Sequence, residues 1–186
     1  MVDVGFVFGS NTSASFQNQL DFTSKLLETL TISQASILPA VVTLSDEYTI
    51  PMHFEDVVST QQVKEKLENL TYTDIAPDYS LLSKILGGDL FRYEYGARRG
   101  AYRVLLMFVD QSLSPIQNYE LISAVVDIMM KGIKVVLVDI GPATGSNLFQ
   151  DVLQAGGTSF SFNTVDDLSE DIVQVVGAVT TGEKSD

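Results

Sequence analysis

Short runs of apolar, β-favouring residues alternate with amphipathic stretches from one end of this chain to the other. That alternation constrains its fold more than any other feature. Residues 4–8, 102–109 (YRVLLMFV) and 133–140 (IKVVLVDI) are almost continuously apolar, the pattern of strands buried on both faces. Between such strands the periodicity changes to steps of three and four. Residues 16–30 place Phe16, Leu20, Thr23, Leu27 and Leu30 on one helical face. Further helices are predicted over 60–70, over 78–86 ending at Gly87-Gly88, over 115–131 opened by Pro115, over 147–154 and over 166–176. Strands are predicted over 37–44, 48–54 and 159–162. The tight turn Ser45-Asp46-Glu47 makes the second and third strands an antiparallel hairpin, and Pro39 suggests an irregular or edge position.

The predicted fold class is therefore α/β: a doubly wound, mainly parallel sheet with helices on both faces and one antiparallel edge strand. With no repeat, linker or low-complexity segment, one domain is expected over residues 1–179, followed by a disordered tail over 180–186. In such folds ligands bind at the carboxyl ends of the strands, where the strand order reverses. The first and fourth strands are the expected flanks of that crevice.

Composition narrows the function. A net charge of −13 argues against nucleic-acid binding and against docking on anionic membranes. No apolar run reaches the length of a membrane span, so no membrane insertion is expected, and no signal peptide is visible after Met1. The absence of cysteine excludes disulfides, thiol catalysis and cysteine-ligated metals. A single histidine, His53, excludes a poly-histidine zinc site, and its place in a predicted strand makes it an edge or surface residue. The loop GSNTSAS after the first strand matches neither a dinucleotide fingerprint nor a phosphate loop, and no G-x-S-x-G elbow occurs. An enzyme is not expected.

The strand-end loops do carry oxygen donors of the kind a hard cation takes: Ser10 to Ser13, Asp74, Asp78 and Ser80, and Asp110 with Ser112. Asp110 also reads as a loop carboxylate satisfied by backbone amides, and Ser13 as a helix N-cap in preference to a ligand.

These segments, in order and spacing, resemble the von Willebrand factor type A (VWA) domain. DVGFVFGSNTS resembles that family's opening strand and Asp-x-Ser-x-Ser loop, and SILPAVVTLSDEYTIPMHF its hairpin. STQQVKEKLENL resembles the following helix. GARRGAYRVLLMFVDQS resembles the entry to the fourth strand and its Thr-Asp-Gly ending. KGIKVVLVDIG and TVDDLSEDIVQVV resemble the fifth strand and last helix. The GARRG connector is most similar to extracellular-matrix members such as the matrilins and the non-collagenous domains of type VI collagen.

The resemblance implies a secreted, matrix-located adhesion or assembly domain. Its partners would be matrix proteins such as collagen, or neighbouring VWA domains. It also implies a metal-ion-dependent adhesion site, here in degenerate form. The family's leading Asp falls on Gly9, its two Ser on Asn11 and Ser13, its Thr on or near Ala76, and its later Asp on Asp110. The expected metal residues are thus Asn11, Ser13 and Asp110, with Asp78 (or Asp74) as a possible substitute acid. The expected cofactor is none, or weakly bound Mg2+ or Ca2+. Asn11-Thr12-Ser13 and Asn69-Leu70-Thr71 match the glycosylation acceptor pattern. The connector supplies a candidate contact patch: Phe91, Arg92, Tyr93, Tyr95, Arg98 and Arg99. The alternative function is an intracellular VWA-type scaffold subunit of a multiprotein complex.

Overall fold

The computed structural model describes residues 1–57, 59–85, 89–109, 113–140 and 148–180, without the side chains of 148, 149 and 168–171. Six strands form one sheet in the order β3-β2-β1-β4-β5-β6. They are β1 (Val2–Phe8), β2 (Ile37–Leu44), β3 (Tyr48–Met52), β4 (Tyr102–Phe108), β5 (Lys134–Ile140) and β6 (Thr158–Phe162). Every pairing is parallel except β2 with β3, which is the antiparallel hairpin at the edge. The strand order reverses between β1 and β4.

The period of two along each strand divides the core into two layers. Val4, Phe6 and Phe8 of β1, with Val104, Leu106 and Phe108 of β4, face one side. There they meet α1 (Ser13–Thr29), α2 (Thr60–Glu68) and the last helix, α6 (Leu168–Thr180). Phe22 packs edge-on against Phe108 at 5.6 Å, and Phe8 lies 5.3 Å from Phe108. Val7, Leu105, Met107, Val135 and Leu137 face the other side, towards α3 (Leu82–Lys84), α4 (Pro115–Met130) and α5 (Leu148–Gln154). The second layer also takes Leu90 and Phe91 from the connector. Gly5 makes room for them: a Cβ there would stand 2.6 Å from Leu90 Cδ2.

Several expectations shift in detail. Pro39 lies in β2, an internal strand of the sheet, on a stretch that is locally an edge. β3 pairs only from Val41 to Leu44, so the first half of β2 has no strand on its outer side, and a missing N–H is tolerated there. The buried face of α1 includes Gln19, Phe22 and Leu26 as well as Phe16, Thr23 and Leu27, whereas Leu20 is half-buried. The helix predicted over 78–86 is a 3-10 turn, Tyr79–Leu81, running into α3, and its Gly87-Gly88 stop lies outside the described residues. α6 extends to Thr180, and residues 181–186 lie outside the described residues. Among the described residues, no helix is long and apolar enough to cross a membrane.

Candidate functional site

Two surfaces carry the sequence candidates, and they lie at opposite ends of the sheet. The loop after β1 is at the carboxyl end. The connector before β4 is at the amino end, against the first residues of β1 and β2.

At the carboxyl end, residue 9 is the pivot. Gly9 donates its backbone N–H to Gln19 Oε1 at 3.2 Å and accepts from Gln19 Nε2 at 2.8 Å. The Gln19 side chain is buried and holds the backbone on both sides of Gly9 with the two ends of its amide. A Cβ at position 9 would stand 3.0 Å from Pro77 Cγ and 3.1 Å from the Leu44 carbonyl oxygen. Pro77 and Leu44 thus fill the space beside Gly9. Ser10 is buried too, and its hydroxyl donates to Thr12 O at 2.9 Å and accepts from Thr12 N at 3.1 Å. The loop folds onto itself through these bonds.

Thr12, in extended conformation, is the N-cap of α1, accepting from Ser15 N at 3.1 Å. Ser13 is therefore not the cap but the first helical residue, and it is exposed; Asn11 is half-buried beside it. Asp78 caps the 3-10 turn, accepting from Ser80 N at 3.0 Å and Ser80 Oγ at 2.6 Å, while its own N–H bonds Ser45 O. Asp74 accepts from the Tyr72 hydroxyl at 3.0 Å. Ala76 is exposed and brings no ligating atom. Asp110 lies outside the described residues. Among the described residues, no three acidic or imidazole side chains gather as a metal cluster. Beside the loop a cleft of about 280 Å3 opens between Phe8, Gly9, the Thr43 and Thr49 hydroxyls, Asn69 and Tyr72. Among the described residues, Glu47 is the one charged residue lining it. Asn69, exposed, is also the C-cap of α2, its amide donating to Glu65 O at 2.6 Å.

At the amino end, the six connector candidates point in different directions. Phe91 is buried, its ring 5.4 Å from Phe54. Arg98 also turns inward. Its Nε donates to Asp3 Oδ1 at 2.8 Å, its backbone N–H donates to Asp3 Oδ2, and its remaining nitrogens reach the carbonyls of Val2, Gln34 and Ser36. Asp3 is fully buried. These two residues are structural ties and not, as the sequence suggested, part of an exposed contact patch. The reason is the period of two: Asp3 shares the face of Gly5 and Val7, and its buried carboxylate requires a cation.

Arg92 pairs with Asp89 at 3.0 Å. Asp89 also accepts from the Tyr48 hydroxyl, a bond that holds the phenol above its ordinary pKa. Tyr95 stacks on His53 at 4.4 Å, so His53 is half-covered just beyond β3 and not a free edge residue. Tyr93 and Arg99 stay exposed, with the Arg99 guanidinium 5.3 Å from the Tyr93 ring. Arg103, which the sequence did not single out, lies over both Phe91 (5.7 Å) and Tyr93 (5.9 Å).

The deciding comparison is with protein families. The model of the von Willebrand factor type A domain matches residues 3–175. The chain belongs to the VWA family. VWA domains are typically protein–protein interaction and adhesion modules, and usually not catalytic. No curated protein matches the chain.

Solved VWA-type structures agree in fold. Proximal thread matrix protein 1 from the mussel byssus superposes with a TM-score of 0.75 at 13% identity, over 96% of this chain and 48% of that one. The manganese-loaded TRAP protein of Plasmodium vivax gives 0.74 at 12% identity, over 97% of this chain and 74% of that one. A von Willebrand factor type A protein from Catenulispora acidiphila gives 0.68 at 16% identity, over 96% and 42%. This VWA chain thus spans about half the length of the mussel protein, and at these identities the likeness concerns the fold alone.

Proposed function

We propose that this VWA domain is a secreted, non-enzymatic interaction module for adhesion or matrix assembly, with matrix proteins such as collagen among its partners. Its contacts do not depend on a divalent cation. The observation that carries this reading is the state of residue 9. Where the family resemblance expects an acid, glycine stands with its backbone N–H and C=O both held by Gln19, and a Cβ there would crowd Pro77 Cγ at 3.0 Å and the Leu44 carbonyl at 3.1 Å. Mg2+ dehydrates reluctantly and is usually held by one or two carboxylates. Asp78 and Asp74 already serve local hydrogen bonds, and one carboxylate with neutral oxygens is a poor cage. The Plasmodium vivax TRAP protein, which shares this fold, is manganese-loaded in its solved structure.

Binding of the full chain to immobilised collagen in Mg2+ and in EDTA tests the reading. Equal binding in both supports it. Binding abolished by EDTA and restored by Mg2+ overturns it. Returning the acid should not by itself rebuild a cation site. Gly9→Asp is expected to cost about 1–3 kcal/mol from crowding against Pro77 and the Leu44 carbonyl. Its melting temperature should be no higher with Mg2+ than with EDTA, as measured by thermal denaturation.

A further inference from the structure

We propose that the amino-end face formed by Tyr93, Arg99 and Arg103 is the docking surface of this module, and that it takes an acidic, carboxylate-bearing segment of a partner protein. The proposal rests on the interaction-module reading above and adds to it a location and a chemistry. It starts from distribution of charge. The chain carries 24 acidic residues against 11 basic ones, yet every arginine falls within residues 92–103. A carboxylate excess should leave few cations without a partner. Arg92 and Arg98 follow that expectation, paired to Asp89 and Asp3. Arg99 and Arg103 do not. Among the described residues neither has a carboxylate within ion-pair distance, and their contacts are with aromatic rings.

That arrangement is suited to one kind of ligand. A guanidinium beside an aromatic ring and without a carboxylate keeps N–H donors for a ligand, and its fork matches a carboxylate in bidentate fashion. Tyr93 is 55% exposed beside the two guanidiniums, adding an aromatic surface of the type favoured at interfaces. The base is fixed in advance. Phe91 is packed on Phe54, Tyr95 on His53, and Arg98 is bonded into the ends of β1 and β2. Little ordering is then required on binding.

A long sulfated polysaccharide fits less well. Among the described residues only two guanidiniums on this face lack a carboxylate, Glu94 is exposed in the same turn, and the net charge of −13 repels a polyanion. A short acidic peptide meets the local positive charge without crossing the rest of the surface.

The test uses the full chain with a fluorescein-labelled oligo-glutamate peptide, an oligo-glutamine peptide of equal length and labelled heparin, followed by fluorescence anisotropy in EDTA. Oligo-glutamate should bind, oligo-glutamine should not, and binding should weaken as salt is raised. The double variant Arg99→Gln/Arg103→Gln should bind at least about tenfold more weakly. Its melting temperature should stay near that of the parent, because both guanidiniums lack ion-pair partners. If that double variant melts early, Arg99→Gln alone, at the exposed position, carries the test. Unchanged oligo-glutamate affinity in the folded variant would overturn the proposal. So would saturable binding of heparin without binding of oligo-glutamate. Collagen binding that survives EDTA but ignores both substitutions would sink this docking surface and leave the cation-independent reading standing. Collagen binding lost in EDTA would remove that reading instead.

Discussion

Replacing Arg98 by alanine is expected to lower folding stability by about 3–5 kcal/mol, the range found when one partner of a buried ion pair is removed. Asp3 is fully buried in β1, and the Arg98 side chain is only 12% exposed. Alanine would keep the backbone N–H that donates to Asp3 Oδ2 at 2.7 Å but lose the Nε donor to Oδ1. It would also strip donors from the carbonyls of Val2, Gln34 and Ser36. A carboxylate left unpaired in that position faces Gly5 and Val7 on the same side of the strand. Domains are stable by roughly 5–15 kcal/mol, so the loss is a large share of the total. Urea denaturation of the variant measures it. The double variant Asp3→Leu/Arg98→Met removes both charges and should be more stable than Arg98→Ala alone, because the penalty comes from the orphaned charge. A loss below about 1 kcal/mol for Arg98→Ala, the size of a surface pair, would mean that Arg98 is not a structural tie.

The second large effect is expected at Gly96. Its φ of +83° lies in the left-handed region, where an L side chain is strained by about 1–2 kcal/mol. Here space is lacking as well. A Cβ would stand 2.5 Å from the backbone nitrogen of Glu55 and 2.9 Å from its Cα, atoms that cannot rotate away. Gly96→Ala should therefore cost roughly 2–4 kcal/mol by strain and crowding together. It should also loosen the Tyr95–His53 stack that this turn sets up. Gly100 separates the two contributions, because its φ is +76° and a Cβ there meets nothing within 4 Å. Gly100→Ala should show the backbone strain alone, about 1–2 kcal/mol. Thermal melts of the two variants compare them directly, and equal losses would show that the contact with Glu55 is not limiting.

The fold was legible because its signals are local and repeated. The strand over 37–44 is found with those same bounds, since an apolar run ends there at a polar turn. Pro115 starts α4, where Ser114 and Gln117 close a capping box. The short helical piece after Asp78 was less legible, because a 3-10 turn and an α turn share the same apolar spacing over so few residues. The candidate sites were legible as residues but not as directions. Adjacent connector side chains fell on one stretch of sequence, yet Phe91 and Arg98 go inward while Tyr93 and Arg99 go outward. The buried charge of Asp3, ninety-five positions away, and the carbonyls of Val2, Gln34 and Ser36 decide where Arg98 points. Gln19 did leave a trace: a polar amide at a position in line with Phe16 and Thr23 on a buried face must find a partner, and its partner is Gly9. Arg103 had no such trace, since a charged residue at the start of an apolar strand reads as an end marker.

The proposed contacts of this VWA domain require no divalent cation at its opening loop. Calorimetric titration of Mg2+, Mn2+ and Ca2+ into the full chain, and into Asp110→Ala, tests it most directly. No saturable binding of any of the three is expected through the low-millimolar range, and no difference between the two proteins. Saturable binding in that range, lost in Asp110→Ala, would contradict it and return the carboxyl end of the sheet to the role of the working site.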